Sequence, residues 1–142
     1  MDMNITSPIH LAFITDNHFV IPTCVAISSI IASKEPATRL CLHVVCASVS
    51  DDNQAVFDSF ASDTVEIDII VQDADRFLML HQDAKCVANR SALLKFVLPE
   101  LLPNCTKVLY LDGDILVKGD LSELYNTELA DNYAACGKRQ MI

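Results

Sequence analysis

A run of four apolar residues, Val108 to Leu111, ends abruptly on Asp112-Gly113-Asp114, and apolar residues resume at once with Ile115, Leu116 and Val117. The run contains a Val and a Tyr and no polar alternation, which suits a strand buried on both faces of a parallel sheet. Two carboxylates at the carboxyl end of such a strand are not core packing, because an unpaired buried charge is too costly. The glycine between them permits a tight turn and the close approach of a ligand. Carboxylate oxygens suit a hard divalent cation, which is usually held jointly with substrate phosphates. Asp112 and Asp114 are therefore candidate metal ligands at a diphosphate site. A surface turn between two strands is the bland alternative, and the motif alone leaves it open.

The rest of the chain supplies a frame for that turn. Ile9 to Ile14 predicts a first strand, ended by the turn formers Thr15 to His18. Pro22 to Ser33 predicts a helix with apolar positions at Val25, Ile27, Ile30 and Ile31, and Pro22 fits its first turn. Arg39 to Cys46 predicts a second strand. Ser50, Asp51 and Asp52 open a helix over Asn53 to Phe60, with acidic residues in the first turn. Val65 to Val71 predicts a third strand, and the alternation of Glu66 and Asp68 with apolar neighbours marks a half-exposed or edge position. Residues 72–89 read as a loop with a short helix. Ser91 to Leu102 predicts a helix that Pro99 ends or kinks. The central strand follows, then one helical turn at Leu121 to Tyr125 and a late strand at Asn132 to Cys136. Alternating strands and helices in 142 residues predict a single domain spanning 1–142, a three-layer α/β/α unit with a mostly parallel sheet. In such sheets ligands bind outside the carboxyl ends of the strands. The Thr15–His18 and Asp112–Asp114 turns both fall there.

Composition narrows the chemistry. A formal net charge of −9 argues against a nucleic-acid partner, which needs clustered Lys and Arg. The six cysteines stand at 24, 41, 46, 86, 105 and 136 without a C-x-x-C pair, so their spacing gives no support to a zinc or thioredoxin-like reading. Reduced thiols and a cytoplasmic location are expected. No stretch reaches the ~18 continuous apolar residues of a membrane span, and Asp2 and Pro8 do not fit a signal peptide. No glycine precedes Gly113, so the first elements hold no Gly-rich phosphate loop. Phosphate recognition then falls to metal and side chains.

Four stretches in order, IHLAFITDNHF, CVAISSI, SALLKFVLPELLP and KVLYLDGDILVKGDLSELYN, resemble the amino-terminal part of a retaining glycosyltransferase of family 8. That family includes bacterial lipopolysaccharide galactosyl- and glucosyltransferases and the glycogenins. The resemblance covers nearly the whole chain and implies the GT-A nucleotide-diphosphate-sugar fold. It implies a hexosyltransferase that moves a hexose from UDP-glucose or UDP-galactose to a glycan acceptor such as lipopolysaccharide core, with Mn²⁺ or Mg²⁺ on Asp112 and Asp114. By the same resemblance, Asp16 lies near the uracil, Phe19 stacks on the base, and Asn17 and His18 contact the ribose. Gly113 and Asp112 line the nucleotide-sugar site. Lys95 stands where the family carries a basic residue, often Arg, that holds donor phosphate or sugar; a lysine there loses the planar fork. The plain reading of Phe19 is a core residue, and that of Lys95 a solvated lysine.

Family enzymes are roughly twice this length, so a GT-A fold incomplete at the carboxyl end is expected, with the catalytic residues in the missing part. A truncated, inactive UDP-sugar-binding remnant is the second reading. A phosphatase of the haloacid dehalogenase type is a third, since it too places D-x-D after a strand. In that class the motif normally lies on the first strand, with Thr or Val two residues after the second Asp, where this chain has Leu116. An enzyme building lipid-linked glycans is compatible with a peripheral position at the inner membrane, although no basic amphipathic helix supports it.

Overall fold

The first three strands form where the apolar runs predict them. The computed structural model describes residues 7–73 and 90–136, with side chains left aside over 90–93. Strand β1 is Ile9–Thr15, β2 is Leu40–Cys46 and β3 is Val65–Val71. Every residue of β2 is buried, as a strand covered on both faces requires. Strand β3 lies at one edge of the sheet and leaves Glu66 and Val71 exposed. Helix α1 is Val20–Ser33 and α2 is Asp51–Asp58. Ser50 caps α2 by accepting the Asn53 amide, with Asp51 and Asp52 in the first turn.

The sheet order is β3-β2-β1-β4, with β4 at Leu109–Tyr110, and every pairing is parallel. Strand β1 therefore has β2 on one side and β4 on the other. The winding reverses between β1 and β4, and a crevice opens outside their carboxyl ends. The two faces of β1 feed separate cores. Leu11 and Phe13 join Ala26, Ile27 and Ile30 of α1 and Phe57 of α2. Ala12 joins Val45, Leu94, Val97, Leu98 and Leu102 on the opposite side. Helical segments thus cover both faces, and three layers result.

Several expectations are corrected. The segment predicted as one helix over Ser91–Leu102 is a 3-10 helix at Arg90–Val97 followed by a single α turn, α3, at Leu98–Leu101. Pro99 starts α3 instead of ending a helix, because its missing N–H costs nothing in a first turn. Strand β4 has only two residues, is half-buried, and occupies an edge among the described residues instead of the centre. The late strand predicted at Asn132–Cys136 is irregular and exposed, with Tyr133 fully in solvent. Val25 is 53 % exposed, so it is not part of the α1 core stripe. The turn at Ser122–Tyr125, α4, is present. The loop and short helix expected over 74–89 lie outside the described residues.

Polar groups interrupt the second core. His10 of β1 and His43 of β2 stack with ring centroids 5.3 Å apart, and Nδ1 of His10 lies 3.0 Å from Nε2 of His43. Asp68 of β3 takes the other ring nitrogen of His43 at 2.8 Å. Burial, then the neighbouring His43, lowers the His10 pKa. Burial, then Glu66 and Asp68, pushes the Cys41 thiol up to about 11.

After β4 the chain runs back over the α1 layer on side-chain tethers. Val117 donates its amide to Ser29 Oγ at 2.9 Å. Asp120 accepts the Glu35 amide and the Thr38 hydroxyl on one oxygen and the Ser122 amide on the other. Lys107 Nζ donates to the Tyr125 and Thr127 carbonyls, and Tyr125 Oη donates to the Lys107 carbonyl, closing the loop at its base. The Ser122 side chain, then the amides of Glu35 and Ser122 and the Thr38 hydroxyl, hold the Asp120 carboxyl well below the usual carboxylate range, against partial burial. A depressed folded pKa stabilises in full above the ordinary aspartate value and is lost as pH falls through the lower folded value. Urea unfolding as a function of pH is expected to show stability falling below about pH 4. Asp120→Asn should cost about 1–2 kcal/mol at neutral pH and flatten that acid limb; an unchanged limb would remove Asp120 as its source.

Candidate functional site

The crevice between β1 and β4 is built from the two turns that follow them. Strand β1 ends on Thr15, and Asp16 to Phe19 lead into α1. Asp16 Oδ1 accepts the amides of His18 and Phe19 at 2.8 and 2.9 Å. These amides precede the helix, and a carboxylate at a helix start is favoured by the dipole. Asn17 Oδ1 accepts the Ser50 amide and Asn53 Nδ2, which ties the turn to the start of α2. The turn is thus braced, while Asp16, Asn17, His18 and Phe19 all remain exposed.

Below the turn sits a buried hydroxyl pair. Thr23 Oγ1 donates to the Phe19 carbonyl at 2.8 Å and lies 3.1 Å from Thr15 Oγ1. The Thr23 proton is thereby committed, and the single Thr15 proton lies between Thr23 Oγ1 and the Asp16 carbonyl at 3.4 Å. Gly113 rests on Thr23 and the Phe19 ring. A Cβ added there would stand 2.6 Å from Thr23 Oγ1 and 3.3 Å from the Phe19 ring. Gly113 has no positive φ. Its lack of a side chain serves close packing against α1, not the unusual backbone conformation that its place in a turn suggests.

This contact holds Asp112 and Asp114 on the solvent side of the crevice, where both are exposed. Tyr110 Oη donates to Asp112 Oδ1 at 3.0 Å. Burial first, then this hydrogen bond and the charges of Asp112 and Asp114, pushes the Tyr110 pKa up to about 12, so the phenol stays a donor. One Asp112 oxygen is oriented while the other is free of protein partners among the described residues. Two exposed carboxylates with hard oxygen donors fit a divalent cation that takes its remaining ligands from phosphate and water. The Phe19 ring, 39 % exposed, borders the same turn. It is not a core residue. Sequence reasoning missed Tyr110 and Thr23. An aromatic donor two residues before the first Asp is the signal that marks Tyr110.

Residues 10–141 match the model of glycosyl transferase family 8. The chain belongs to that family. The lipopolysaccharide glucosyltransferase WaaO of Escherichia coli (strain K12) is 30% identical over 127 residues, which is 88% of this chain and 37% of WaaO. A solved structure of the galactosyltransferase LgtC in complex with donor and acceptor sugar analogs superposes with a TM-score of 0.70 at 27% identity, over 88% of this chain and 45% of that one. The bifunctional glycosyltransferase WbbM shares the fold, with a TM-score of 0.74 at 22% identity, over 92% of this chain and 23% of WbbM. The fold is GT-A. The chain spans less than half the length of these relatives. Family 8 membership also removes the phosphatase alternative.

Within this family 8 unit the sequence-predicted residues fall into two groups. Asp16, Asn17, His18, Phe19, Asp112, Gly113 and Asp114 lie on the two turns that flank the crevice. Lys95 stands apart in the 3-10 helix, exposed, with its ammonium 5.7 Å from the centre of the Phe96 ring. Among the described residues no hydrogen bond or ion pair joins it to the Asp112–Asp114 turn. Replacing Gly113 tests the seating of that turn. Gly113→Ala is expected to cost about 1–3 kcal/mol, since Thr23 is buried and doubly hydrogen-bonded and cannot yield. Gly113→Ala/Thr23→Ala should recover part of the loss in the same urea melts; a fully neutral Gly113→Ala would show that the turn is seated otherwise.

Proposed function

We propose that this chain forms the donor-binding half of a retaining glycosyltransferase that moves a hexose from UDP-glucose or UDP-galactose to a glycan acceptor such as lipopolysaccharide core. One observation carries this reading: the Asp112-Gly113-Asp114 turn is seated on Phe19 and Thr23 at the switch point between β1 and β4. That arrangement brings carboxylates for a metal–diphosphate group beside an exposed aromatic ring. The names of the WaaO and LgtC relatives, a lipopolysaccharide glucosyltransferase and a galactosyltransferase, support the choice of hexose and acceptor, and the UDP carrier is part of the proposal. The acceptor class agrees with a cytoplasmic enzyme working at the inner membrane, and no described helix is long and apolar enough to cross a bilayer.

Each residue has a part that its surroundings support. Asp112 and Asp114 would hold Mn²⁺ or Mg²⁺, which when bound supplies charge neutralisation for the departing diphosphate. Tyr110 keeps the Asp112 carboxylate in one orientation before the donor arrives, which lowers the ordering cost of binding. Phe19 offers its face to the uracil. Asp16 spends one oxygen on the helix start and keeps Oδ2 for a base or ribose donor. Asn17 holds the turn through its oxygen and presents its amide group outward to the ribose, beside His18. Lys95 is proposed as a phosphate- or sugar-holding cation.

Calorimetric titration with UDP tests the site. Binding is expected to require Mn²⁺ or Mg²⁺ and to vanish in Asp112→Asn/Asp114→Asn. Phe19→Ala should weaken it by about 1–3 kcal/mol, the usual worth of a base stack. A folded chain that ignores UDP with and without metal would overturn the assignment of these aspartates. Binding without consumption of UDP-glucose or UDP-galactose would favour the binding-only remnant.

A further inference from the structure

A second constellation lies at the other end of the sheet and plays no part in the donor site. His10 is the second residue of β1 and stands directly across from Cys41 of β2. His43 follows two residues after Cys41, so the strand period brings both to the same face. One nitrogen of each histidine and the sulfur of Cys41 all lie within 4.8 Å of one another. Cys105, in the connection between α3 and β4, lies beside the two histidines. Its sulfur is 3.5 Å from Nδ1 of His10 and 3.9 Å from Nε2 of His43.

The His10–His43, Cys105–His10 and Cys105–His43 separations of 3.0, 3.5 and 3.9 Å are close to those of a coordination shell, while the Cys41 sulfur, within 4.8 Å of the histidine nitrogens, would draw in on a bound ion. A tetrahedral zinc centre with Zn–N near 2.0–2.1 Å and Zn–S near 2.3 Å places its ligand atoms roughly 3.3–3.8 Å apart. Cys41 and His43 are almost fully buried, and Cys105 and His10 are half-buried. The orientation of His43 is fixed from behind. Asp68 accepts from Nδ1 at 2.8 Å, so Nδ1 carries the hydrogen and Nε2 of the neutral ring presents a lone pair to the cluster. A carboxylate behind a ligating histidine is the usual outer partner in zinc sites. A single proton shared between Nδ1 of His10 and Nε2 of His43 explains their 3.0 Å contact without metal. A cation in that place would satisfy both nitrogens and both sulfurs at once.

We infer that His10, Cys41, His43 and Cys105 form a closed four-ligand zinc site that joins β1, β2 and the α3–β4 connection. Two sulfurs and two imidazoles select zinc over the oxygen-seeking ions suited to Asp112 and Asp114. Two thiolates balance the charge of Zn²⁺; the two thiol protons leave to solvent on binding, and the proton held between the histidines moves to Nε2 of His10. The two metal chemistries do not share an ion. His10 and Thr15 are five residues apart on β1, roughly 17 Å at the rise of a strand. With all four positions taken by protein, the role is structural.

Cobalt reports on the site without reference to transferase activity. The reduced 142-residue chain titrated with Co²⁺ should develop a thiolate-to-metal charge-transfer band and tetrahedral visible bands, complete at one equivalent and bleached by one equivalent of Zn²⁺. Asp112→Asn/Asp114→Asn should leave these bands unchanged, because that site offers no sulfur. Cys41→Ser and Cys105→Ser should each abolish or strongly reduce the charge-transfer band, with circular dichroism confirming that each variant is folded. Asp68→Asn, at a half-exposed position, should retain the fold and weaken Zn²⁺ affinity about 10–100-fold. Absence of a thiolate band overturns the inference. So does a band that persists at full strength in folded Cys41→Ser or Cys105→Ser chains.

Discussion

The close approach of Gly113 to Thr23 decides whether the two turns of the crevice meet. Thr23 lies one turn into α1, and its hydroxyl is locked between Thr15 and the Phe19 carbonyl. The β1 terminus, the α1 start and the Asp-Gly-Asp turn thus converge on one buried oxygen. A side chain at 113 would prise the turn from the helix and carry both aspartates with it. The sheet order gives this contact its setting. With β2 and β4 on opposite sides of β1, the end of β1 is the place where the connections diverge and leave room.

The acidic character of the chain is distributed unequally around this point. Asp16 and Asp120 accept backbone amides, and their charge is spent on holding a helix start and a loop. Asp68 is spent on a histidine. Asp112 and Asp114 have only the Tyr110 phenol among the described partners, and both face solvent. A net charge of −9 does not show which carboxylates are available for a ligand. The hydrogen-bond partners show which are committed, and among the described residues they leave one oxygen of Asp112 and both of Asp114 open at the switch point.

Much of the fold was legible in the sequence because burial on both faces leaves a continuous apolar run. Strands β1 to β3 and the edge position of β3 follow from Ile9–Ile14, Arg39–Cys46 and the Glu66/Asp68 alternation. The position of the candidate site was legible through Asp112-Gly113-Asp114 and its flanks, which fall on the turn after β4. Less legible were features set by tertiary contact. Nothing local distinguishes Pro99 as the start of a turn from Pro99 as its end. Asn132–Cys136 has the composition of a strand but no neighbour to pair with among the described residues. Tyr110 and Thr23 gain their meaning from partners across the crevice. The His10, Cys41, His43 and Cys105 group escaped a search for C-x-x-C spacing, because its members come from three separate segments and only Cys41-x-His43 is local.

The tethers of the Asp-Gly-Asp loop carry a consequence for the order in which the protein is made. Val117 bonds to Ser29, and Asp120 bonds to Glu35 and Thr38, contacts that reach back 82 to 88 residues along the chain. Contacts of such separation cannot form until the later segment has been synthesised, and closing so long a loop carries an entropic cost. The α1 surface and the turn behind it leave the ribosome first. The Asp-Gly-Asp loop is therefore a late arrival that takes its shape from a surface already in place.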